Sequence, residues 1–177
     1  PGRNGFLTQL LRGKRVEKIL FAATKADHLH REDHDRLQAI LKQLVAKGMD
    51  HARFKGAKVD VLALAAVRAT REATVKHGGE ELPAILGTPL PGEGIDGEQF
   101  DGKAEIAMFP GDLPADPESV FQALESNSET AAEVDSSLKF LRFRPPRLDR
   151  TVEGMSLSLP HIRLDRALEF LIGDRLS

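Results

Sequence analysis

Ile19-Leu20-Phe21-Ala22-Ala23-Thr24-Lys25-Ala26-Asp27 is the stretch that decides the fold class. Five apolar residues in an unbroken run suit a strand covered on both faces, the usual state in a parallel sheet. The run stops in small and polar residues, so a strand over Val16 to Ala23 is expected to end in a loop. Downstream, Leu37, Ile40, Leu41, Leu44 and Val45 share one helical face, with Gly48 as the expected stop. Val59 to Leu64 reads as a second strand that runs into Ala65 to Thr70. Upstream, Phe6 to Leu11 reads as a helix end closed by Gly13. Strand, loop, helix, strand, loop is half of a doubly wound α/β sheet, and ligands on such sheets sit at the carboxyl ends of the strands. Thr24 to Asp27 and Ala65 to Arg68 are therefore expected to face one ligand together.

The rest of the chain reads differently. Gly78 to Pro117 is punctuated by Gly and Pro around short apolar runs at Leu82 to Leu86 and Ile106 to Phe109, the pattern of short strands and tight turns. Asp116 to Leu124 suits a short helix with Pro117 at its first position. Ser126 to Ser137 is rich in Ser and Glu and is expected to be mobile. Leu138 to Phe143 is expected to be a strand stopped by Pro145-Pro146. Leu164, Ala167, Leu168, Leu171 and Ile172 form the stripe of a closing helix. The expected organisation is an α/β region over residues 1–77, a β-rich insertion over 78–150 with its mobile stretch near 126–137, and a closing helix over 151–177 packed on the α/β region.

Composition narrows the classes of function. The 177 residues are 41% hydrophobic and 29% charged, with a formal charge of -2. That balance gives no general pull toward nucleic acid or acidic lipid. There is no Trp, Tyr or Cys, which removes stacking platforms other than Phe, disulfides and thiolate metal sites. No apolar stretch approaches the roughly 20 residues of a membrane span. The chain begins at Pro1 without a Met, and it is expected to be a fragment of a longer protein.

Several clusters carry candidate chemistry. The stem of Lys25 can lie along a flat heterocycle, and the Asp27 carboxylate can accept two parallel hydrogen bonds from the N–H groups of a guanine edge. Small side chains at Ala65 and Ala66 let backbone N–H groups approach a purine oxygen closely. The competing reading makes Asp27 an ordinary helix cap. Gly97-Glu98-Gln99-Phe100-Asp101-Gly102-Lys103-Ala104 matches most of a phosphate-loop pattern. It fails as one because Ala104 has no hydroxyl for Mg²⁺, Glu98 and Asp101 repel phosphate, and a strand is expected after it. His28, His30 and His34 with Asp27 invite a metal, but Arg31 and Arg36 in the same segment favour a solvated helix start instead. No catalytic triad can be assembled, since Cys and a G-x-S-x-G sequence are both lacking. His161-Ile162-Arg163 is expected to orient the last helix, with Arg163 and Asp165 making surface pairs.

Five strings, in order along the chain, resemble the YcjX-like family of bacterial, stress-associated P-loop GTP-binding proteins. They are Ile19 to His30, Val59 to Thr70, Phe109 to Pro114, Phe143 to Leu148 and Pro160 to Leu168. The resemblance implies the C-terminal half of a P-loop GTPase-like doubly wound sheet with a β-rich insertion and a closing helix. It implies that Thr24-Lys25-Ala26-Asp27 is the guanine-specificity loop, with Thr24, Lys25 and Asp27 contacting the base and Ala65, Ala66 and Val67 offering backbone groups. The ligand implied is GTP or GDP. The phosphate loop, switches and Mg²⁺ ligands are expected in an N-terminal part outside this chain, so no catalytic residue is assigned here and no hydrolysis by this chain alone is expected. A cytoplasmic location and an inner-membrane or stress-response protein partner are also implied. The rival expectation is a protein-interaction module that binds no nucleotide.

Overall fold

The computed structural model describes residues 16–114, 116, 121, 140–146, 150–151, 154–155 and 159–176. The helix end expected at 6–11, most of the helix expected at 116–124 and the stretch 126–137 lie outside them. The described architecture is mixed α/β, with one parallel strand pair, one antiparallel sheet and two short hairpins.

Strand β1, Lys18–Ala23, lies parallel to β2, Lys58–Ala63, in a register that pairs Lys18 with Lys58 and Ala23 with Ala63. The crossover between them is helical: α1, His34–Leu44, then α2, Ala46–Phe54. Gly48 was the expected stop, but the break comes at Val45, whose φ of -98° and ψ of 6° leave the helical region. The bonds from Val45 N–H to the Leu41 carbonyl and from Met49 N–H to the Val45 carbonyl carry the chain through the break. Gly48 instead sits inside α2, where a Cβ would meet the rim of Phe21 at 3.7 Å. Alternation along the strands sorts their side chains. Phe21 looks toward α2, and the Ala63 N–H meets the Gln38 amide oxygen on α1 at 3.4 Å. On the other face Leu20, Leu62 and Leu64 pack against Ala167 of α3, Leu164–Ile172. Helices thus cover both faces of the pair, but of the stripe expected to seat α3 only Ala167 is buried, while Leu168, Leu171 and Ile172 are exposed.

β1 is not covered as fully as its apolar run suggests. Its residues are half-buried and Ala22 is exposed. The reason is that among the described residues it has one strand neighbour, so one edge lacks a layer of side chains beside it.

Arg71–His77 (β3) pairs with Glu80–Gly87 (β4), which pairs with Ile106–Met108 (β7), all antiparallel. This sheet begins seven residues before the expected start of the insertion. Between β4 and β7, β5 (Gly94–Ile95) and β6 (Glu98–Gln99) form a tight hairpin. Its turn residues Asp96 and Gly97 both have positive φ, the geometry that suits two-residue hairpins. The phosphate-loop-like segment therefore starts in a hairpin turn rather than leading into a helix. The core here is Ile85, Met108, Leu141 and Phe143. The strand expected at Leu138 to Phe143 is reduced, within its described part, to a bridge between Phe143 and Pro89. Flanking bonds join Leu90 N–H to the Arg142 carbonyl and Arg144 N–H to the Thr88 carbonyl, each at 2.8 Å. A small hairpin follows, β8 (Arg150–Thr151) and β9 (Gly154–Met155).

Candidate functional site

The register of β1 and β2 brings their carboxyl ends level, so the two loops that follow meet. Leu64 N–H donates to the Ala23 carbonyl at 2.9 Å, and Ala26 N–H donates to the Leu64 carbonyl at 3.1 Å. Thr24 and Lys25 are exposed at the rim. Lys25 takes a left-handed backbone, φ 61° and ψ 36°, which turns the chain into a short 3-10 turn at Ala26–His28. A non-glycine residue in that region carries a conformational cost that surrounding contacts must offset. Here they are the two loop-to-loop bonds and the burial of Ala26, Asp27 and His28.

Asp27 does not cap a helix, as α1 begins seven residues later. Its Oδ2 accepts from the Ala69 N–H at 2.8 Å, and its own carbonyl accepts from the Thr70 hydroxyl. The residue is 4% exposed. Ala69 and Thr70 escape a reading by residue type, because they contribute a backbone N–H and a common hydroxyl.

Of the second loop, Ala65 is buried and its N–H donates to the Ile162 carbonyl at 3.0 Å, with Ile162 N–H returning a bond to the Ala65 carbonyl. That donor is spent, so Ala65 differs from the expectation of a backbone group open to a ligand. The Arg68 N–H is likewise held by the Pro160 carbonyl at 2.7 Å. Ala66 and Val67 are exposed, and their N–H groups have no hydrogen-bond partner among the described residues.

Lys25 and Thr24 line a cavity of about 380 Å³ together with His28, Leu29, Phe140 and Arg142. Its walls are mainly apolar. Asp27, Ala65, Ala66 and Val67 are not among its lining residues. The structure thus brings the six candidate residues to one rim but not into one pocket. His28 stands edge-on to Phe143, ring centres 5.6 Å apart, and joins the loop to the second sheet. Burial holds its pKa below the ordinary histidine value, against the pull of the Asp27 charge.

The three histidines of this segment diverge. His34 Nε2 lies 2.8 Å from the Ala26 carbonyl, which can only accept, so that nitrogen carries the proton. Burial lowers the pKa of His34 as well. His30 Nδ1 is buried with no hydrogen-bond partner among the described residues, and Glu32 is 4.0 Å away. Arg163 and Asp165 both find partners, Asp165 lying 4.0 Å from the His161 ring. The left-handed backbone of Arg163, φ 54°, turns its side chain to α1, where it meets Asp35 at 2.9 Å and Gln38 at 3.2 Å.

The family model for the YcjX-like family, DUF463, matches residues 1–176. This chain belongs to the YcjX-like family. Among relatives, a protein of Escherichia coli K12 named Ras-like GTPase YcjX is 37% identical over 162 residues, covering 91% of this chain and 29% of that protein. One of the same name from Shewanella oneidensis is 30% identical over 177 residues, covering 99% of this chain and 31% of that protein. The chain spans less than a third of the length of the curated relatives it matches. None of the helices described is long and apolar enough to cross a membrane.

Proposed function

We propose that this chain carries the guanine-reading loops of a GTP-binding protein, within a P-loop GTPase-like doubly wound sheet completed by sequence outside it. The observation that carries the reading is the in-register parallel pair β1–β2, which sets Lys25 and Asp27 beside the loop Ala65 to Thr70. The curated relatives named Ras-like GTPase support it. Lys25 supplies a stem to lie on the base. Asp27 supplies a carboxylate of which one oxygen, Oδ2, is bonded to Ala69 N–H, and guanine N–H groups would take the other oxygen or compete for the first. Ala66 and Val67, rather than Ala65, have N–H groups open to a base carbonyl. The contacts to the nucleotide's phosphates and Mg²⁺ fall to the rest of the protein, since the segment Gly97 to Ala104 forms no phosphate loop: it starts in a hairpin turn and Ala104 has no hydroxyl for the metal. Such a protein is expected in the cytoplasm, beside an inner-membrane or stress-response partner.

Asp27→Asn in the full-length protein tests this. An amide in place of the carboxylate cannot accept both guanine N–H groups, and hydrogen bonds to a charged group are worth roughly 1.5–3 kcal/mol each. GTP affinity is expected to fall about tenfold or more while xanthosine triphosphate affinity rises. The substitution also weakens the tie to Ala69, so a loss for both nucleotides marks damage to the loop, and no change for either overturns base reading by Asp27.

The Asp27–Ala69 bond and the spent Ala65 N–H favour a second reading, a protein-interaction module whose loops are locked and bind no nucleotide. Titration of the full-length protein with GTP and ATP separates the two: binding of neither supports the module.

A further inference from the structure

A second cavity, about 570 Å³, lies between the end of the Ala65–Thr70 loop and the antiparallel sheet. Small-molecule sites fall in that size range. Four cationic side chains line it, Arg68, Arg71, Lys103 and Arg144, against one carboxylate, Glu105. This is a sharp local departure for a chain of formal charge -2. Two of the cations are already committed. Arg68 donates through Nε to the Thr70 carbonyl and pairs with Glu72 at 3.0 Å. Arg71 grips both oxygens of Glu105, at 3.3 and 2.7 Å, which neutralises the one acid of the lining. The other two are not. Arg144 donates to the Gly102 carbonyl at 2.6 Å, a neutral acceptor that leaves its charge unbalanced. The Lys103 ammonium makes no ion pair or hydrogen bond among the described residues.

Converging cations with no carboxylate partner repel one another, and an anion between them relieves the repulsion. The guanidinium of Arg144 offers the planar fork that matches phosphate oxygens, and Lys103 offers a mobile point charge. Thr88, on the same wall, adds a hydroxyl. We propose that this cavity binds a phosphate-bearing small molecule of at least two negative charges, with Lys103 and Arg144 as its principal contacts and Arg71 as an outer one. The site is separate from the guanine reading, because it needs neither Lys25 nor Asp27.

Calorimetric titration of the full chain with inorganic pyrophosphate tests it, since pyrophosphate carries no base. Saturable binding that weakens about tenfold or more in Lys103→Ala, and is restored by Lys103→Arg, is the expected result. The Lys103 side chain is exposed and makes no bond among the described residues, and its backbone N–H keeps its bond to Asp101 in any variant, so its loss leaves the fold intact, and equal melting temperatures check this. Arg144→Lys, which keeps the charge but loses the fork, is expected to weaken binding less than Lys103→Ala. No binding at millimolar pyrophosphate overturns the proposal. So does equal affinity in the wild type and Lys103→Ala, which would place the anion elsewhere. Binding of a poly-glutamate peptide without pyrophosphate would also overturn it, in favour of an acidic protein partner.

Discussion

At the carboxyl ends of β1 and β2, the polar groups nearest a ligand are largely engaged, with Asp27 bonded to Ala69, Ala65 to Ile162 and Arg68 to Pro160. In the cavity beside β3 and β7, among the described residues the Lys103 ammonium has no partner and the Arg144 guanidinium has only a carbonyl. The parallel pair is the place where α/β sheets usually bind, yet its loops are tied to one another and to the start of the second sheet. Engaged groups give a loop one conformation and make a ligand compete for it; unengaged cations keep their electrostatic gain for a ligand. The two regions are also joined: Ala69 and Thr70, immediately before β3, are the partners of Asp27.

That joint makes the largest predicted effect a test of whether the regions unfold as one. Ile85 is 1% exposed at the centre of the antiparallel sheet, and Leu62 is 7% exposed under α3. Truncating a buried aliphatic side chain removes its transfer energy and leaves a cavity, so Ile85→Ala is expected to cost about 2–5 kcal/mol. Leu62→Ala should fall at the low end of that range, because its neighbour Ala167 is small and its packing less complete. In urea unfolding of the full chain, each is expected to shift a single transition. Two transitions, each moved by one substitution only, would break the comparison by making the sheets independent.

A smaller effect is expected at Gly87. A Cβ there would lie 2.6 Å from the Phe143 ring, which is itself fixed in the core by Ile85 and Leu141. Overpacking of this kind costs about 1–3 kcal/mol, so Gly87→Ala should lower the urea midpoint without changing its slope. Phe143→Leu in that background should recover part of the loss, and a strictly additive double mutant would show that the ring is not the obstacle. Gly87 sharpens the contrast, since the antiparallel sheet depends on one close contact while the parallel pair depends on periodic faces.

The same contrast governs how much could be read in advance. β1, β2 and β4 were legible because burial favours apolar, β-branched runs on a strand, and α3 because its apolar residues recur at helical spacing, although only Ala167 of that stripe is buried. The break at Val45 was not, since backbone bonds run through it and Gly48 offered a stronger but misleading signal. At the rim, the place of Thr24, Lys25 and Asp27 at the carboxyl end of β1 was legible from the apolar run before them. The parts played by Ala69, Thr70 and Ile162 were not, because they act through backbone groups and a common hydroxyl, Ile162 from an isolated bridge far along the chain. The cationic cavity was hidden for a related reason: its four cations stand at 68, 71, 103 and 144, and only the return of the chain past Pro89 gathers them.

The smallest effect concerns the histidine that links the regions. His28 lies between the Lys25 loop and Phe143, and burial holds its folded pKa below the ordinary value of 6.5; His34 is lowered by burial too. Well above pH 6.5 both rings are neutral in the folded and the unfolded chain, and neither contributes to the pH dependence. As pH falls below that value the unfolded chain takes up protons that the folded chain refuses, so stability is lost until the lowered folded pKa is reached, and then levels off. The urea midpoint is therefore expected to drop between pH 7.5 and pH 5.5. His28→Phe keeps an aromatic edge against Phe143 and removes one of the two titrations, so its midpoint should drop less over the same interval. A variant that tracks the wild type would assign the acid sensitivity to His34, inside the α/β layer, and not to the contact between the sheets.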